Sequence, residues 1–418
     1  MGKGFRIFLV SLLGFCVLIG AICIIVPLAR SGEPNIPSQF NPVTDDTGDD
    51  AANNTDDTNT DTGDTSATTE PEPESEFVTK AKETVRTMTL EEQVYQLFMV
   101  TPEDLTGVDT ATVAGDATKS ALEQYPVGGI VYFAKNLENV DQIKTLLSNT
   151  QSYAKTPLLL GVDEEGGTVS RLGSRGLGVT ELDDMASYDD PQQVHTMGKT
   201  LGDELLALGF NLDFAPVADV STSGSAIGDR AFSSDAEEAA SLVGSMVAGM
   251  KESGILCTLK HFPGLGGVSA DTHDGAASTN ATLEQLKEKD FLPFQAGIDA
   301  GAPLVMVSHL SAPSVTGDDR PASLSTSIID GLLRTELGFD GVVVTDALNM
   351  EAITDHFTAA EAAVQALEAG ADLLLMPEDF QAAVDGVLHA VETGSLPQDT
   401  ITDSVVRVLA MKYEYGIA

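Results

Sequence analysis

The sequence is poor in basic residues. It has 22 Lys and Arg residues against 64 Asp and Glu, which gives a formal net charge of −42 at pH 7 over 418 residues. Nucleic acids and anionic surfaces repel a chain this acidic, which excludes both as partners recognised by charge. The charge balance instead predicts a ligand that is neutral, or one that a few buried cations hold locally.

Cysteine is also scarce, with three in the chain. Cys16 and Cys23 lie in an apolar N-terminal run, and Cys257 stands alone in a later apolar segment. One cysteine forms no internal disulfide, and no group of His and Cys residues has metal-ligand spacing. The sequence therefore predicts neither a disulfide framework nor a metal site, and no motif in it predicts a cofactor.

The N-terminal apolar run covers residues 7–29 and follows Lys3 and Arg6. At about 1.5 Å per residue it is long enough to cross a bilayer as a helix, and the preceding charges favour a cytoplasmic N-terminus. We therefore interpret residues 1–30 as an uncleaved membrane anchor of a single-pass protein with an extracytoplasmic domain. A cleaved signal peptide, which would give a secreted protein, is the alternative.

A polar tract follows at residues 31–76. It contains thirteen acidic residues, no basic residue and almost no large apolar side chain. Such a segment cannot bury enough surface to offset the entropy of ordering, so it is predicted to be a disordered tether. Removing its thirteen acids and the three basic residues of the anchor still leaves a charge of about −32 (−42 + 13 − 3) on residues 77–418.

Residues 77–418 alternate short apolar runs with amphipathic segments. The apolar runs are residues 96–100, 129–133, 158–162, 211–215, 255–259, 304–307, 342–345 and 373–376, and the main helical patterns are residues 140–154, 194–208, 236–252, 283–300, 328–337 and 358–369. Alternating strands and helices with apolar strands indicate an α/β fold with a parallel sheet covered on both faces. Eight such units predict a single (β/α)8 TIM-like barrel, with an open doubly wound sheet as the alternative.

Polar residues follow most of the predicted strands. In a barrel of this kind the active site lies at the carboxyl ends of the strands, so these residues are predicted to converge on one mouth. They are Asp163, Glu164, Glu165 and Arg171 after the third strand, Asp213, Asp219, Asp229 and Arg230 at and after the fourth, Lys260 and His261 at the fifth, Ser308 and His309 at the sixth, Thr345 and Asp346 at the seventh, and Glu378 after the eighth.

The loop after the fifth strand carries Asp271 and His273. In an extended segment, side chains two residues apart point to the same side, so the Asp271 carboxylate can orient the His273 ring. An oriented histidine is a better general base and, once protonated, a usable acid. Taken alone, this pair is more typical of a solvated glycine-rich turn than of a catalytic pair.

Several motifs together resemble a known family. They are VGGIVYFAKNLEN at the second strand, VDEEGGTVSRL at the third, LDFAPVADV and GDRAF at and after the fourth, KHFPGLGGVSADTH at the fifth and VVVTDALNM at the seventh. In this order and spacing, over nearly all of residues 78–418, the chain is similar to bacterial β-N-acetylhexosaminidases of glycoside hydrolase family 3.

The resemblance implies a retaining hydrolase that removes terminal β-linked N-acetylglucosamine from peptidoglycan-derived or related glycans. It implies that Asp346 is the nucleophile, although a helix N-cap is the ordinary interpretation of such a residue. It further implies that His273 is the acid/base with Asp271 as its orienting partner. The residues that would bind the sugar are Asp163, Arg171, Arg230, Lys260 and His261, while Asp213 and Asp219 are interpreted as structural.

The chain departs from the family pattern in one loop. Leu265 and Gly267 stand where the family commonly has His and Asp, which leaves the leaving-group preference open. A β-N-acetylglucosaminide phosphorylase is an alternative, because a histidine acid/base repels an incoming phosphate less than a carboxylate does. A non-catalytic glycan-binding protein is a further alternative.

Overall fold

A computed structural model of the protein describes residues 74–268 and 275–418. Eight parallel strands in this part of the chain form one sheet. They are β1 (Phe98–Val100), β2 (Gly129–Val131), β3 (Leu159–Val162), β4 (Leu212–Asp213), β5 (Leu256–Phe262), β6 (Leu304–Val307), β7 (Val342–Thr345) and β8 (Leu374–Leu375).

The sheet closes into a barrel. Each strand from β1 to β6 pairs in parallel with the next, and β8 pairs with β1 through Phe98↔Leu374 and Met99↔Leu375. A bridge between Val344 and Leu373 joins β7 to the start of β8. The (β/α)8 barrel predicted from the sequence is therefore confirmed, and the open sheet is excluded.

Alternation along the strands divides the core into two parts. Inward-facing residues from all eight strands form one apolar cluster, and their sequence neighbours face the helices in a second, larger cluster. Val408 and Met411, from the last helix, belong to the inner cluster and close the barrel at the amino ends of the strands. The barrel interior is therefore filled at this end in the described residues, and a cavity enters it from the carboxyl ends of the strands.

Helices surround the barrel. They are α1 (Glu76–Val85), α2 (Leu90–Gln96), α3 (Pro102–Thr106), α4 (Asp116–Gln124), α5 (Val140–Tyr153), α6 (Pro191–Leu208), α7 (Ala236–Ser253), α8 (Leu283–Gln285), α9 (Phe291–Asp299), α10 (Pro313–Thr316), α11 (Glu351–Thr354), α12 (Ala359–Glu368), α13 (Phe380–Thr393) and α14 (Gln398–Glu414). Their ends carry the expected signals: Asp235 caps α7, and Gly254 ends it in the left-handed region at φ 87°.

The structure differs from the sequence prediction at several boundaries. Gln96, predicted to begin the first strand, ends α2 instead, because the capping box of Thr89 starts a helix that runs into the strand. Strand β5 extends to Phe262, so Lys260 and His261 lie on the strand and not in the loop after it. Two predicted α-helices contain π-helical turns, at Leu286–Asp290 and Ser327–Glu336.

The predicted membrane anchor (1–30) and acidic tether (31–76) lie almost wholly outside the described residues, so both remain predictions. The structure begins at Glu74, and α1 takes up Glu76. Within residues 74–268 and 275–418, no helix combines the length and the apolar character needed to cross a bilayer.

Candidate active site

A cavity of about 360 Å³ opens at the carboxyl ends of the strands. Three cations and three carboxylates line it, so its walls are strongly polar but carry balanced formal charge. Apolar side chains from the inner face of the barrel form much of the remaining surface. The charged residues are Asp163, Glu165, Arg171, Arg230, Lys260 and Asp346, with His261 beside them.

Lys260 is the centre of the polar wall. It is 2% exposed, and its Nζ lies 2.9 Å from Asp163 Oδ1 and 2.5 Å from Glu165 Oε1. Burial alone would lower the pKa of this amine, but Asp163 and Glu165 outweigh burial and raise the pKa above its ordinary value. Lys260 is therefore a fixed cation in the wall of the cavity.

Arg230 enters the same network from a turn of 3₁₀-helix (Gly228–Arg230) after β4. Its Nε and Nη2 donate to Glu165 Oε2 and Oε1 at 2.8 and 2.9 Å, a bidentate pair. Burial would raise the pKa of Glu165, yet Lys260 and Arg230 lower that pKa to about 2. Arg230 thus forms an ion pair with Glu165 and lines the cavity as well.

Arg171 is held more loosely. Its Nη2 lies 4.0 Å from Asp163 Oδ2, and its guanidinium carbon lies 5.8 Å from the centroid of the Phe133 ring. Its Nε is buried and has no hydrogen-bond partner among the described residues. Since an unmade hydrogen bond of a buried donor is costly, a ligand oxygen at this position would be stabilising.

Asp219 organises the segment that carries His261. The Asp219 carboxylate is fully buried and accepts from His261 Nδ1 at 2.8 Å, from the His261 backbone N–H at 3.2 Å and from the Leu265 N–H at 2.6 Å. Donation from Nδ1 fixes the tautomer and leaves Nε2 as the ring nitrogen available to a ligand. Asp219 is thus structural, as predicted, but it acts directly on a cavity residue.

Asp290 packs closely against the backbone of the same segment at Gly264. A Cβ placed on Gly264, whose φ is 126°, would lie 2.9 Å from the Asp290 Cβ, so the loop backbone and this side chain are in close contact. Burial, and to a lesser extent the charge of Asp219, raise the pKa of Asp290 to about 6. Glycine is required here both for its backbone conformation and for the close approach.

Asp346 comes directly after β7 and is 9% exposed. Its Oδ1 accepts the Ala347 backbone N–H at 2.8 Å, and its own N–H donates to Val307 O at 2.9 Å. The next helix, α11, begins at Glu351 with Met350 as its N-cap. Asp346 is therefore not the cap of a helix, and its carboxylate lies in the cavity wall.

His309, after β6, holds the chain beside Asp346. Its Nε2 lies 2.9 Å from Ala347 O and its Nδ1 lies 2.8 Å from Ser323 Oγ. Because a carbonyl oxygen can only accept, Nε2 carries the proton and Nδ1 accepts from the serine. This arrangement orients the turn that presents Asp346.

The structure brings together six of the eight residues proposed from the sequence. The other two, Asp271 and His273, lie outside the described residues, between Val268 and Gly275. Glu165 was predicted to lie at the mouth but was given no role in ligand binding, although its position two residues after Asp163 was a usable signal, because both then face the same side of an extended segment. The role of His309 depends on Ser323 and Ala347, which no local pattern connects to it.

Comparison with known proteins identifies the family. The profile of the glycosyl hydrolase family 3 N-terminal domain matches residues 89–411. The chain belongs to glycosyl hydrolase family 3. The family predicted from the motifs is confirmed, and so is the enzyme class, a glycoside hydrolase.

Relatives within glycosyl hydrolase family 3 include β-hexosaminidases. The chain is 37% identical over 313 residues to β-hexosaminidase LpqI of Mycobacterium tuberculosis, covering 72% of this chain and 79% of that protein. It is 32% identical over 323 residues to β-hexosaminidase A of Pseudoalteromonas piscicida, covering 70% of this chain and 54% of that one. The chain thus spans about half the length of the second relative.

A solved family 3 structure also resembles this one. The β-N-acetylglucosaminidase of Paenibacillus sp. str. FPU-7 superposes with a TM-score of 0.74 at 38% identity, covering 79% of this chain and 63% of the other. The likeness includes the barrel and therefore the framework that positions the cavity.

Proposed function

We propose that this family 3 glycoside hydrolase is a retaining exo-β-N-acetylhexosaminidase that releases terminal β-linked N-acetylglucosamine. The observation that carries the proposal is the position of Asp346, at the end of β7, in the wall of the same cavity as Lys260, Arg230 and Arg171. The names of the relatives, β-hexosaminidases and a β-N-acetylglucosaminidase, support the choice of sugar.

The cavity suits a neutral sugar. Carboxylates accept hydrogen bonds from ring hydroxyls, while the lysine and the arginines donate to hydroxyl and amide oxygens. Because the formal charges of the lining residues balance, a neutral ligand leaves no net charge buried with it. A volume of about 360 Å³ is in the range of small-ligand pockets, as expected for one terminal sugar.

In the proposed mechanism, an Asp346 oxygen attacks the anomeric carbon while the glycosidic bond to the leaving oxygen breaks. His273, oriented by Asp271, gives its proton to that oxygen. A covalent glycosyl-aspartate results. Water then attacks the same carbon, His273 takes a proton from this water, and the Asp346 carboxylate is released.

The test is hydrolysis of 4-nitrophenyl N-acetyl-β-glucosaminide by the purified full-length protein, without added metal. Asp346→Ala is expected to reduce kcat by about 10³-fold or more, because the covalent step is lost. His273→Ala is expected to retain more activity with this substrate, since nitrophenolate leaves without protonation. Unaltered turnover in Asp346→Ala would disprove the mechanism.

Two further measurements with the same substrate distinguish a hydrolase from the two alternatives, a phosphorylase and a glycan-binding protein. Release of N-acetylglucosamine 1-phosphate when phosphate is added would indicate a phosphorylase instead of a hydrolase. Binding of the sugar without turnover of any aryl glycoside would indicate a glycan-binding protein. Free N-acetylglucosamine at the same rate with and without phosphate is the expected result.

We further propose that the protein acts outside the cytoplasm on peptidoglycan-derived glycans, anchored by residues 7–29. Support comes from the length of that apolar run and from the preceding Lys3 and Arg6. We expect the protein to remain in the membrane fraction after an alkaline carbonate wash. Recovery of a shortened chain in the medium would instead indicate cleavage of the N-terminal segment. Release of N-acetylglucosamine from purified muropeptides tests the substrate.

A further inference from the structure

The turn after β7 presents Asp346 to the sugar cavity, and the two neighbouring strands hold this turn. On one side, the Asp346 N–H donates to Val307 O of β6 at 2.9 Å. On the other side, the Leu348 N–H donates to Leu375 O of β8 at 2.9 Å. Backbone contacts therefore fix the first and the third residue of the turn.

Ala347, between these two residues, is held by side chains. Its N–H donates to Asp346 Oδ1 at 2.8 Å, and its carbonyl oxygen accepts from His309 Nε2 at 2.9 Å. The peptide group between Ala347 and Leu348 is thus held at both ends, its oxygen by His309 and its N–H by Leu375. Because Ala347 in turn holds Oδ1 of Asp346, restraining Ala347 also restrains the plane of the carboxylate.

Ser323 holds the His309 ring. It is fully buried in a turn of 3₁₀-helix (Ala322–Leu324), and its hydroxyl donates to His309 Nδ1 at 2.8 Å. The Ser323 N–H donates to Ser308 O at 3.0 Å, and Ser308 directly precedes His309. The serine is therefore tied to the same strand end as the histidine, and both ring nitrogens have a fixed partner.

We propose that His309 and Ser323 are positioning residues that set the orientation in which the Asp346 carboxylate attacks the anomeric carbon. The proposal rests on the hydrolase function proposed above. Neither residue is among the described residues that line the sugar cavity, so the proposal assigns no sugar contact to them. A displacement of reacting groups by about 1 Å can cost about 10²-fold in rate. Losing the hydrogen bond to Ala347 should therefore slow the attack and leave sugar binding unchanged.

A purely structural role is the competing explanation for this buried histidine, which is 1% exposed. In that case, removing the donor would leave the Ala347 oxygen without its partner and would reduce the free energy of unfolding. The rate of the enzyme that remains folded would not change. The two explanations thus differ in the kcat/KM of the folded protein.

Two amide substitutions at position 309 separate the roles of the two ring nitrogens. The amide nitrogen of glutamine lies as far along the side chain as Nε2 and can donate to Ala347 O. The amide nitrogen of asparagine lies only as far as Nδ1, on the side of Ser323, and does not reach Ala347. The two variants therefore have the same polar group and differ in which contact they keep.

The substrate is 4-nitrophenyl N-acetyl-β-glucosaminide, and the full-length protein is assayed at a temperature where each variant is folded. His309→Asn is expected to lower kcat/KM about 10²-fold, whereas His309→Gln should stay within about fivefold of the unmodified protein. The inhibition constant of N-acetylglucosamine should change less than about twofold in both variants, since sugar binding is retained. His389→Asn, the same substitution at an exposed position of α13, should leave kcat/KM unchanged.

A second substrate separates attack by Asp346 from protonation of the leaving oxygen. Phenyl N-acetyl-β-glucosaminide has a leaving oxygen that needs a proton much more than that of the nitrophenyl substrate. We expect His309→Asn to lose about the same factor in kcat/KM with both substrates. A loss confined to the phenyl glycoside would show that His309 acts on the acid and would overturn the proposal.

The proposal also fails if kcat/KM in folded His309→Asn equals that of the unmodified protein, or if His309→Gln is as impaired as His309→Asn. If His309→Asn does not fold, Ser323→Ala, which keeps the imidazole, takes its place. Its expected loss in kcat/KM is about fivefold, and an unchanged value there would likewise overturn the proposal. If the unmodified protein hydrolyses neither aryl glycoside, it is the hydrolase function that fails.

Discussion

The two ends of the barrel both bury charged residues, but they use them differently. At the carboxyl ends of the strands, Lys260, Glu165 and Arg230 form an ion-pair network that forms part of a cavity wall. At the amino ends, Asp372 is fully buried between Arg334 and Arg407, with Arg334 Nη2 at 2.6 Å from Asp372 Oδ2. Asp372 also accepts the Val343 N–H at 2.9 Å.

The difference lies in what surrounds each network. Asp372 links the start of β8 to β7 and α14, and its side chain lines neither the cavity at the mouth nor the cavity of about 420 Å³ at the amino ends, although its partner Arg407 lines the latter. The network at the mouth leaves polar groups, such as the Nε of Arg171, without a protein partner in the described residues. Buried ion pairs contribute little net stability, so retaining them at a cavity is better explained by ligand binding than by folding.

The largest effect is expected from breaking the network at the amino ends. Asp372→Ala leaves two arginines without their shared carboxylate and is predicted to reduce the free energy of unfolding by roughly 3–5 kcal/mol. KM for the aryl glycoside should not change, because the site lies at the other end of the barrel. Denaturation and kinetics on the same preparation measure both quantities.

A surface pair provides the control for this variant. Asp203→Ala removes the partner of Lys199 on the exposed face of α6, and the midpoint of unfolding should change far less. A changed KM in Asp372→Ala at temperatures where the variant is fully folded would contradict the division between the two ends.

A smaller effect, and of a different kind, is expected at the mouth. Glu165→Gln removes the charge that Lys260 and Arg230 share, so both cations lose their fixed positions. KM is predicted to rise about tenfold, equivalent to about 1.4 kcal/mol of binding free energy. Glu164→Gln is the neighbouring control, because Glu164 accepts from the backbone N–H groups of residues 171–173 and pairs with no cation of residues 74–268 or 275–418. An equal rise in KM in both variants would indicate loop damage, not loss of the charge.

The last effect is one of pH dependence and concerns Lys412, which is fully buried at the amino ends and donates to Gly128 O at 2.9 Å. Burial lowers the pKa of this amine from 10.5 to about 7. Between these two values the unfolded chain binds a proton that the folded chain lacks. This residue therefore makes the free energy of unfolding rise with pH, by up to about 1.4 kcal/mol per unit.

Lys412→Met should remove that rise. Denaturant unfolding at pH 7, 8 and 9 measures the slope, and Lys199→Met, at an exposed lysine of α6, should keep the slope of the unmodified protein. A slope in Lys412→Met equal to that of the unmodified protein would show that the lysine stays charged at the base of the barrel.

The sequence predicted the barrel because its signal repeats. Eight apolar runs separated by amphipathic helices are a regular pattern, and residues such as Lys260 and Asp346 could be placed at the mouth from strand direction alone. Element boundaries were less predictable, since the capping box of Thr89 and the two π-helical segments depend on local hydrogen bonds. The repeat of apolar runs and amphipathic helices therefore predicts the barrel that carries the site more reliably than it predicts where each element begins and ends.

The partners of the site residues could not be predicted. The contact of Glu165 with Arg230 joins positions 65 residues apart, and that of His309 with Ala347 joins positions 38 apart. Such contacts follow from how strand ends and loops meet in space, and sequence periodicity carries no information about them.

One feature of the N-terminal end determines how the enzyme can be held. Ser75 and Phe77 line a cavity together with Pro303 and Gly341, which directly precede β6 and β7, so α1 begins near the amino ends of the strands, opposite the mouth. A bead, surface or fusion partner attached upstream of Ser75 would hold the protein at the end of the barrel opposite the mouth. Protein immobilised in this way would keep the opening of its cavity directed towards the solution.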